Sequence, residues 1–193
     1  VAERETGVVS RYYRDDHPAV LRLIRQTCEA VSGENIEVCG ELAGNLKSEY
    51  GNSQYARYGA LLLAKLAVWQ NELDTAAAQL QWVAEDADSG LALVVTLRLA
   101  RVEAARGNID LAISMLNKSP EAQSFTSAYA EARGDFYLMK GDTQSAYESY
   151  QQALGNMTVV DQRLRPVLEL KLNQVAPKAD LATEPQELSE EGV

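Results

Sequence analysis

The stretch "LRLARVEAARGNIDLAISML", residues 97–116, contains two short apolar helical patterns joined by a Gly-Asn pair. The turn in this stretch has two counterparts elsewhere in the chain. The three related segments are "NELDTA" (71–76), "GNIDLA" (107–112) and "GDTQSA" (141–146), and they start at Asn71, Gly107 and Gly141, which are 36 and 34 residues apart. The pattern predicts a repeated unit made of two helices and a turn.

Small residues recur in step with these turns. They are Ala64, Ala100 and Gly134, each seven residues before a turn, and Ala76, Ala112 and Ala146, each five residues after it. Two helices approach closely only where the side chains between them are small, so each unit is predicted to be a tight helical hairpin. A hairpin that repeats about every 34 residues is typical of tetratricopeptide repeats.

The residues at the turns suit this hairpin. Gly107 and Gly141 can adopt the left-handed conformation that ends a helix, and Asn108 or Asp142 can then accept hydrogen bonds from the next helix. Apolar residues recur at helical spacing in both halves of each unit, and no segment predicts a strand. The predicted fold class is all-α, a tetratricopeptide-like superhelical array of antiparallel helix pairs.

The chain is predicted to have three parts. Residues 1–17 form a connector, residues 18–176 form the helical domain, and residues 177–193 form a disordered acidic tail. The predicted hairpins cover about 18–50, 53–87, 90–118 and 121–155, and a helix over 158–175, with Pro166 kinking it or opening its second half, caps the open end of the stack.

The charge of the chain limits the partners that it can have. It carries 18 basic and 28 acidic residues, a net charge of −10, and no basic run that alternates with aromatic residues. A negative surface repels phosphate backbones, so nucleic acid is not an expected partner. No apolar stretch reaches the length of about 18 residues that a membrane-spanning helix needs.

Three segments carry a resemblance to a known family. In chain order they are "YGALLLAKLAVWQNELDTAAAQL", "LVVTLRLARVEAARGNIDLAISML" and "AYAEARGDFYLMKGDTQSAYESYQQAL". Over about residues 20–176 the chain resembles the periplasmic part of YfgM-family proteins. The pieces "NELDTAAAQLQ" and "LRLARV" are more specific than a general repeat consensus.

The resemblance implies a location and a set of partners. YfgM-family proteins are anchored in the bacterial inner membrane by one transmembrane helix. The resemblance therefore implies such an anchor just before Val1, a juxtamembrane position for the connector over residues 1–17, and a periplasmic location for this domain. The implied partners are the SecYEG translocon, the chaperone PpiD and unfolded or translocating secretory proteins. The resemblance implies no catalytic residue and no cofactor, and contact with the membrane only through the anchor.

A second interpretation stays open. The chain is then a tetratricopeptide scaffold of another bacterial envelope assembly, without client binding of its own. A transmembrane helix before Val1 favours the translocon interpretation, whereas a lipobox or a cleaved signal peptide favours the scaffold.

The first helix of each hairpin is expected to line the concave side of the array. Counting from the small residues gives three sets of side chains that face this groove. They are Tyr58, Leu61, Lys65, Val68 and Trp69; Val94, Leu97, Arg101, Ala104 and Ala105; and Ala128, Glu131, Asp135, Leu138 and Met139. Most are apolar, which favours binding of hydrophobic or amphipathic segments. Alternatively, another helix of the chain, over 158–175 or at the N-terminus, fills the groove as core.

Two cysteines and one histidine are the remaining candidates for a special site. Cys28 and Cys39 lie on opposite sides of the predicted turn at Gly33, so they either form a disulfide or pack as two buried thiols. Two cysteines and His17 supply too few ligands for a metal site. His17 precedes Pro18 and is interpreted as part of a helix start. No catalytic motif is present, so the chain is not expected to be an enzyme.

Overall fold

The computed structural model describes residues 18–118 and 125–177, which belong to two compact units. The described residues form helices and no strand, so the predicted all-α class is confirmed. The predicted connector over residues 1–17, and the predicted tail apart from Pro177, lie outside the described residues.

The first unit contains three pairs of consecutive helices. They are α1 (Pro18–Ser32), α2 (Ile36–Tyr50), α3 (Gln54–Trp69), α4 (Leu73–Ala84), α5 (Ser89–Ala105) and α6 (Ile109–Lys118). Each odd-numbered helix packs against the even-numbered helix that follows it. The core between α3, α4 and α5 is built from small and branched side chains, including Ala64, Ala76, Leu80, Val95 and Val102.

The second unit contains one further pair and a closing helix. These are α7 (Thr126–Lys140), α8 (Thr143–Gly155), a short 3-10 turn (Val160–Leu164) and α9 (Arg165–Val175). Pro166 lies in the first turn of α9, where its missing N–H costs nothing, so this proline opens the helix. Leu168 and Val175 of α9 pack in one cluster with Tyr150 and Ala153 of α8.

The four hairpin turns share one backbone geometry. The residues in the left-handed conformation are Glu34 (φ 55°), Asn71 (φ 60°), Gly107 (φ 91°) and Gly141 (φ 83°). In each turn the N–H of this residue donates to the carbonyl three residues back at 3.0–3.1 Å, and the next N–H donates to the carbonyl five residues back at 2.8–2.9 Å. This pair of bonds is the Schellman motif, which satisfies carbonyls that a helix end leaves free.

The two predicted caps have different outcomes. Asp142 accepts a hydrogen bond from the N–H of Ser145 at 3.0 Å, as predicted. For Asn108 the prediction is corrected, because its side-chain amide instead donates to Glu103 Oε2 at 2.7 Å. Glu103 is 2% exposed and its other oxygen accepts from Arg106 at 2.7 Å, so this buried carboxylate takes the donors at the turn.

The small residues that recur with the turns are all buried. Gly134 shows most directly why one of them is needed. A Cβ at position 134 would lie 2.5 Å from Cδ1 of Tyr150 in α8, so only glycine lets the aromatic ring pack against the backbone of α7. The ring is fixed at its other end, since the Tyr150 hydroxyl donates to Asp135 Oδ1 at 2.8 Å.

Candidate functional site

A cavity of about 730 Å³ opens in the first unit between α1, α3, α4 and α5. Its walls come mainly from the first helix of each pair. The lining residues are Ile24 and Cys28 of α1; Tyr58, Leu61, Leu62, Ala64, Lys65, Val68 and Trp69 of α3; Leu73 and Leu80 of α4; and Arg98, Arg101, Val102 and Ala105 of α5. Most of these side chains are apolar, and the volume falls in the range of about 300–1,000 Å³ that is usual for ligand cavities.

The structure brings together the groove residues that were predicted on α3 and part of those predicted on α5. Those that line the cavity are Tyr58, Leu61, Lys65, Val68, Trp69, Arg101 and Ala105. Val94 instead lines a separate hollow of about 280 Å³ beside Arg57 and Asp88. Whether these residues bind protein stays a prediction.

Leu97 and Ala104 are not in the cavity wall, and their predicted orientation is corrected. Leu97 is 7% exposed and Ala104 is also buried. The face that α5 turns to the cavity runs through Arg98, Arg101, Val102 and Ala105, so it keeps two of the projected residues, Arg101 and Ala105. The observed face is rotated by less than one residue step of about 100°, which is enough to exchange Leu97 and Ala104 for Arg98 and Val102.

The sequence prediction missed the contribution of α1. Thr27 is fully buried and lies seven residues before the left-handed Glu34, as Ala64 lies seven residues before Asn71. With Thr27 as the reference position, Ile24 and Cys28 correspond to Leu61 and Lys65. The signal was hidden because threonine stands where the other repeats have alanine or glycine.

In the second unit, helix α9 packs against the side chains of α7 that are predicted to face the groove. Lys171 Nζ lies 2.8 Å from Glu131 Oε1 and 2.8 Å from Asp135 Oδ1. Leu138 packs against the cluster that contains Leu168 of α9, while Met139 is exposed. Of the two alternatives for the groove, the chain's own helix therefore applies to these α7 positions, whereas no other described helix fills the cavity of the first unit.

Three cationic side chains, Lys65, Arg98 and Arg101, line the apolar cavity of the first unit. Lys65 Nζ lies 4.5 Å from the centre of the Trp69 ring, a cation–π distance that orients the indole at the cavity edge. Arg98 and Arg101 are exposed on the α5 wall of the cavity. The site therefore combines an apolar surface with a positively charged border.

The helical pairs and their turns are matched by a known family. A family model described as "Tetratricopeptide repeat-like domain" covers residues 17–177. The chain belongs to the tetratricopeptide repeat-like family. Within this tetratricopeptide repeat-like chain, the cavity is formed largely by the first helices of three successive repeats.

Three relatives of this tetratricopeptide repeat-like chain carry the name "Ancillary SecYEG translocon subunit". The relative from Escherichia coli K12 is 31% identical over 144 residues, which is 74% of this chain and 66% of the relative. Those from Aggregatibacter actinomycetemcomitans and Haemophilus influenzae are 36% and 32% identical, over 64% and 63% of this chain and 61% and 58% of the relatives. These relatives confirm the resemblance to the YfgM family, and the chain spans less than two thirds of the length of each.

The described part of the tetratricopeptide repeat-like chain contains neither a membrane-spanning helix nor a metal-binding cluster. In residues 18–118 and 125–177, each helix is too short or too polar to cross a membrane. The same residues contain no group of three or more histidine, cysteine, aspartate or glutamate side chains that could hold a metal ion.

Both cysteines of the tetratricopeptide repeat-like chain are free thiols in the structure. Cys28 is exposed at the cavity and Cys39 is buried in the core between α1, α2 and α3. Burial raises the pKa of the Cys39 thiol, and the nearby Cys28 adds to the effect. A thiol with a raised pKa reacts slowly, because the thiolate is the nucleophile. The disulfide between the two stays a prediction.

We expect a thiol-specific reagent at pH 8 to modify Cys28 of the native reduced protein, and Cys39 only after unfolding. The measurement is mass spectrometry of labelled peptides with and without denaturant, with Cys28→Ser as the control that leaves one slow site.

Protein prepared without reductant tests whether Cys28 and Cys39 are paired in a disulfide. Resistance of both cysteines to the reagent in denaturant, relieved by adding a reductant, would show that they form a disulfide.

Proposed function

We propose that this chain is the periplasmic part of an adaptor anchored in the bacterial inner membrane. In this proposal it associates with the SecYEG translocon, binds the chaperone PpiD, and takes up unfolded or translocating secretory proteins without catalysing a reaction. The relatives named as ancillary SecYEG translocon subunits support the association with the translocon. The resemblance to YfgM-family proteins supports PpiD as the partner.

The observation that carries the proposal is the apolar cavity of the first unit. Large apolar side chains stand exposed on its α3 wall, with Trp69 62% exposed and Tyr58 and Val68 each more than two fifths exposed. Burying apolar surface yields about 25 cal/mol per Å², so a folded protein that leaves such a cluster in water is suited to bind an apolar partner there. Tryptophan and tyrosine are also enriched among the residues that contribute most to binding energy at protein interfaces.

The helical repeat framework supports an adaptor role. Paired helices hold the cavity walls through backbone turns and a packed core, so the cavity exists before a partner arrives. A preformed surface loses little conformational entropy on binding. The chain is therefore suited to hold an apolar segment of a partner protein on a preformed framework, as an adaptor requires.

The test is a single charge placed in the cavity. Val68→Glu is expected to reduce the recovery of SecYEG and PpiD at least about tenfold, because binding would bury a carboxylate in an apolar contact. The tagged protein is purified from bacterial membranes in mild detergent, and the partners are quantified by mass spectrometry.

Val38→Glu is the matched control. Val38 lies on α2 away from the cavity and is 42% exposed, compared with 43% for Val68, so both substitutions add the same charge at equal exposure. The control should retain its partners. Equal recovery with both variants would place partner binding outside the cavity, and recovery of a different envelope complex with the unaltered protein would overturn the translocon assignment.

A further inference from the structure

Arg98 and Arg101 form a positively charged edge on the cavity. They are three residues apart on α5, both are exposed, and both line the cavity beside Val102 and Ala105. Among the described residues, neither guanidinium group has an ion-pair or hydrogen-bond partner. Two unpaired arginines at the border of an apolar surface are available to bind carboxylates.

Two other arginines of the same unit, Arg57 and Arg106, are used differently. Arg57 pairs with Asp86, and Arg106 pairs with Asp74 at 2.6 Å and with Glu103 at 2.7 Å. The chain has 28 acidic residues and 18 basic ones, so carboxylates are plentiful on its surface. The cavity border is therefore a local positive region on an otherwise acidic protein, and this charge pattern favours an acidic partner.

In the second unit, helix α9 shows how a pair of repeat helices can bind a helix through apolar side chains and one charged group. Helix α9 packs apolar side chains against α8 and places one charged group, Lys171, against Glu131 and Asp135 of α7. Asp135 directly follows Gly134, and Arg101 directly follows Ala100 at the corresponding position of its own repeat. The sign of the charge at this position is reversed in the first unit, so a helix bound there would need an acidic group where α9 has lysine.

We propose that the cavity binds an amphipathic helix of a partner polypeptide that carries two carboxylates along the border of its apolar stripe. The carboxylates pair with Arg98 and Arg101, and the apolar side chains enter the cavity beside Trp69. Residues three or four apart on the partner helix are neighbours on its surface, which matches the spacing of the two arginines on α5. The inference rests on the proposed function, which makes this cavity the polypeptide-binding site.

The test uses two synthetic peptides of about 18 residues, long enough to form a helix. Both have the same leucine stripe; one carries two glutamates at its border, and the other carries two lysines there. Binding to the full chain is measured by fluorescence anisotropy at low and moderate salt. The glutamate peptide should bind at least about tenfold more tightly than the lysine peptide, with a difference that shrinks as salt is added.

The double variant Arg98→Glu/Arg101→Glu makes the test specific. Both side chains are exposed, so the variant should keep its helical circular dichroism and its stability. Its preference between the two peptides should reverse, which a merely structural role of the arginines would not produce. If both peptides bind equally tightly and Val68→Glu weakens the binding of both, the charge inference is overturned. The apolar cavity of the proposed function then still stands.

Two further outcomes would also overturn the inference. One is the absence of binding by either peptide. The other is binding that begins only when residues 1–17 are deleted, because the cavity would then belong to that segment of the chain itself. Partner recovery with Val68→Glu is measured separately, so a failure of the proposed function is distinguished from a failure of the charge pairing.

Discussion

Gly134→Ala is expected to lower the free energy of unfolding of the second unit by about 2–3 kcal/mol, although alanine is the better helix former. The added methyl group would lie 2.5 Å from Tyr150 Cδ1 and 2.9 Å from Cζ, well inside van der Waals contact. Helix propensity alone would raise the free energy of unfolding by about 1 kcal/mol, so it is the clash with Tyr150 that makes the substitution destabilising. Chemical denaturation followed by circular dichroism measures the change.

The cost is high because the Tyr150 ring has nowhere to go. The side chain is fully buried, and its hydroxyl is held by Asp135, so a shift of the ring away from α7 would also break this hydrogen bond. Gly155→Ala is the control, since a Cβ there meets no atom within 4 Å and the substitution should be neutral or slightly stabilising. Equal stability of the two variants would show that the contact at Gly134 is not a packing constraint.

Lys171→Met is expected to destabilise the second unit by about 2 kcal/mol at pH 8. The ammonium group is bonded to Glu131 and Asp135, and the three side chains are between 24% and 36% exposed. Exposed ion pairs contribute about 0–1 kcal/mol, whereas breaking a buried pair costs about 3–5 kcal/mol, so this half-buried cluster lies between the two. The substitution also leaves two neighbouring carboxylates without their cation.

The stabilisation by this cluster should decline in alkaline solution. Burial alone would lower the pKa of Lys171, but the hydrogen bonds to Asp135 and Glu131 and the negative charges of these two groups together raise it. Burial, followed by the hydrogen bond to Asp135, raises the pKa of Tyr150 as well. A raised pKa gives stability that is complete below the unfolded-state pKa, about 10 for both groups, and is lost as the pH rises through the folded-state value.

The measurement for Lys171 is the free energy of unfolding at pH 8 and at pH 11. The difference between the original chain and Lys171→Met should shrink at pH 11. Lys171→Arg, which keeps a positive charge, is the control and should retain most of the stability at pH 8. If Lys171→Met were as stable as the original chain at pH 8, the cluster would contribute no more than a solvated surface pair.

The hairpin turns show which part of the fold could be predicted from sequence. Asn71, Gly107 and Gly141 were found because glycine and asparagine are the residues that most readily adopt a positive φ. Glu34 takes the same conformation at a cost that the surrounding helix pair outweighs, so its residue type gave no signal. The sequence predicts a turn around Gly33 in a degenerate first repeat, and the structure places the left-handed residue of that turn at Glu34.

Part of the candidate site could be predicted because one small residue gave the register of its helix. Ala64 gave the register of α3, so the side chains on that helix were projected correctly into the cavity. An apolar stripe indicates that a helix face is buried, but it does not say which neighbour buries it. The pairing of Lys171 with Glu131 and Asp135 joins residues 40 and 36 positions apart, and such a contact follows only from the packing of α9.

The backbone bonds that close the hairpin turns bear on how such a chain lengthens over evolutionary time. Because the same bonds form around glutamate, asparagine or glycine, the turn does not depend on a particular side chain. A duplicated gene segment of 34 to 37 codons, the spacing between successive turns, would therefore encode a hairpin that closes from the start. Later mutations could then diversify the exposed side chains of each copy while its connection to the preceding copy stays intact.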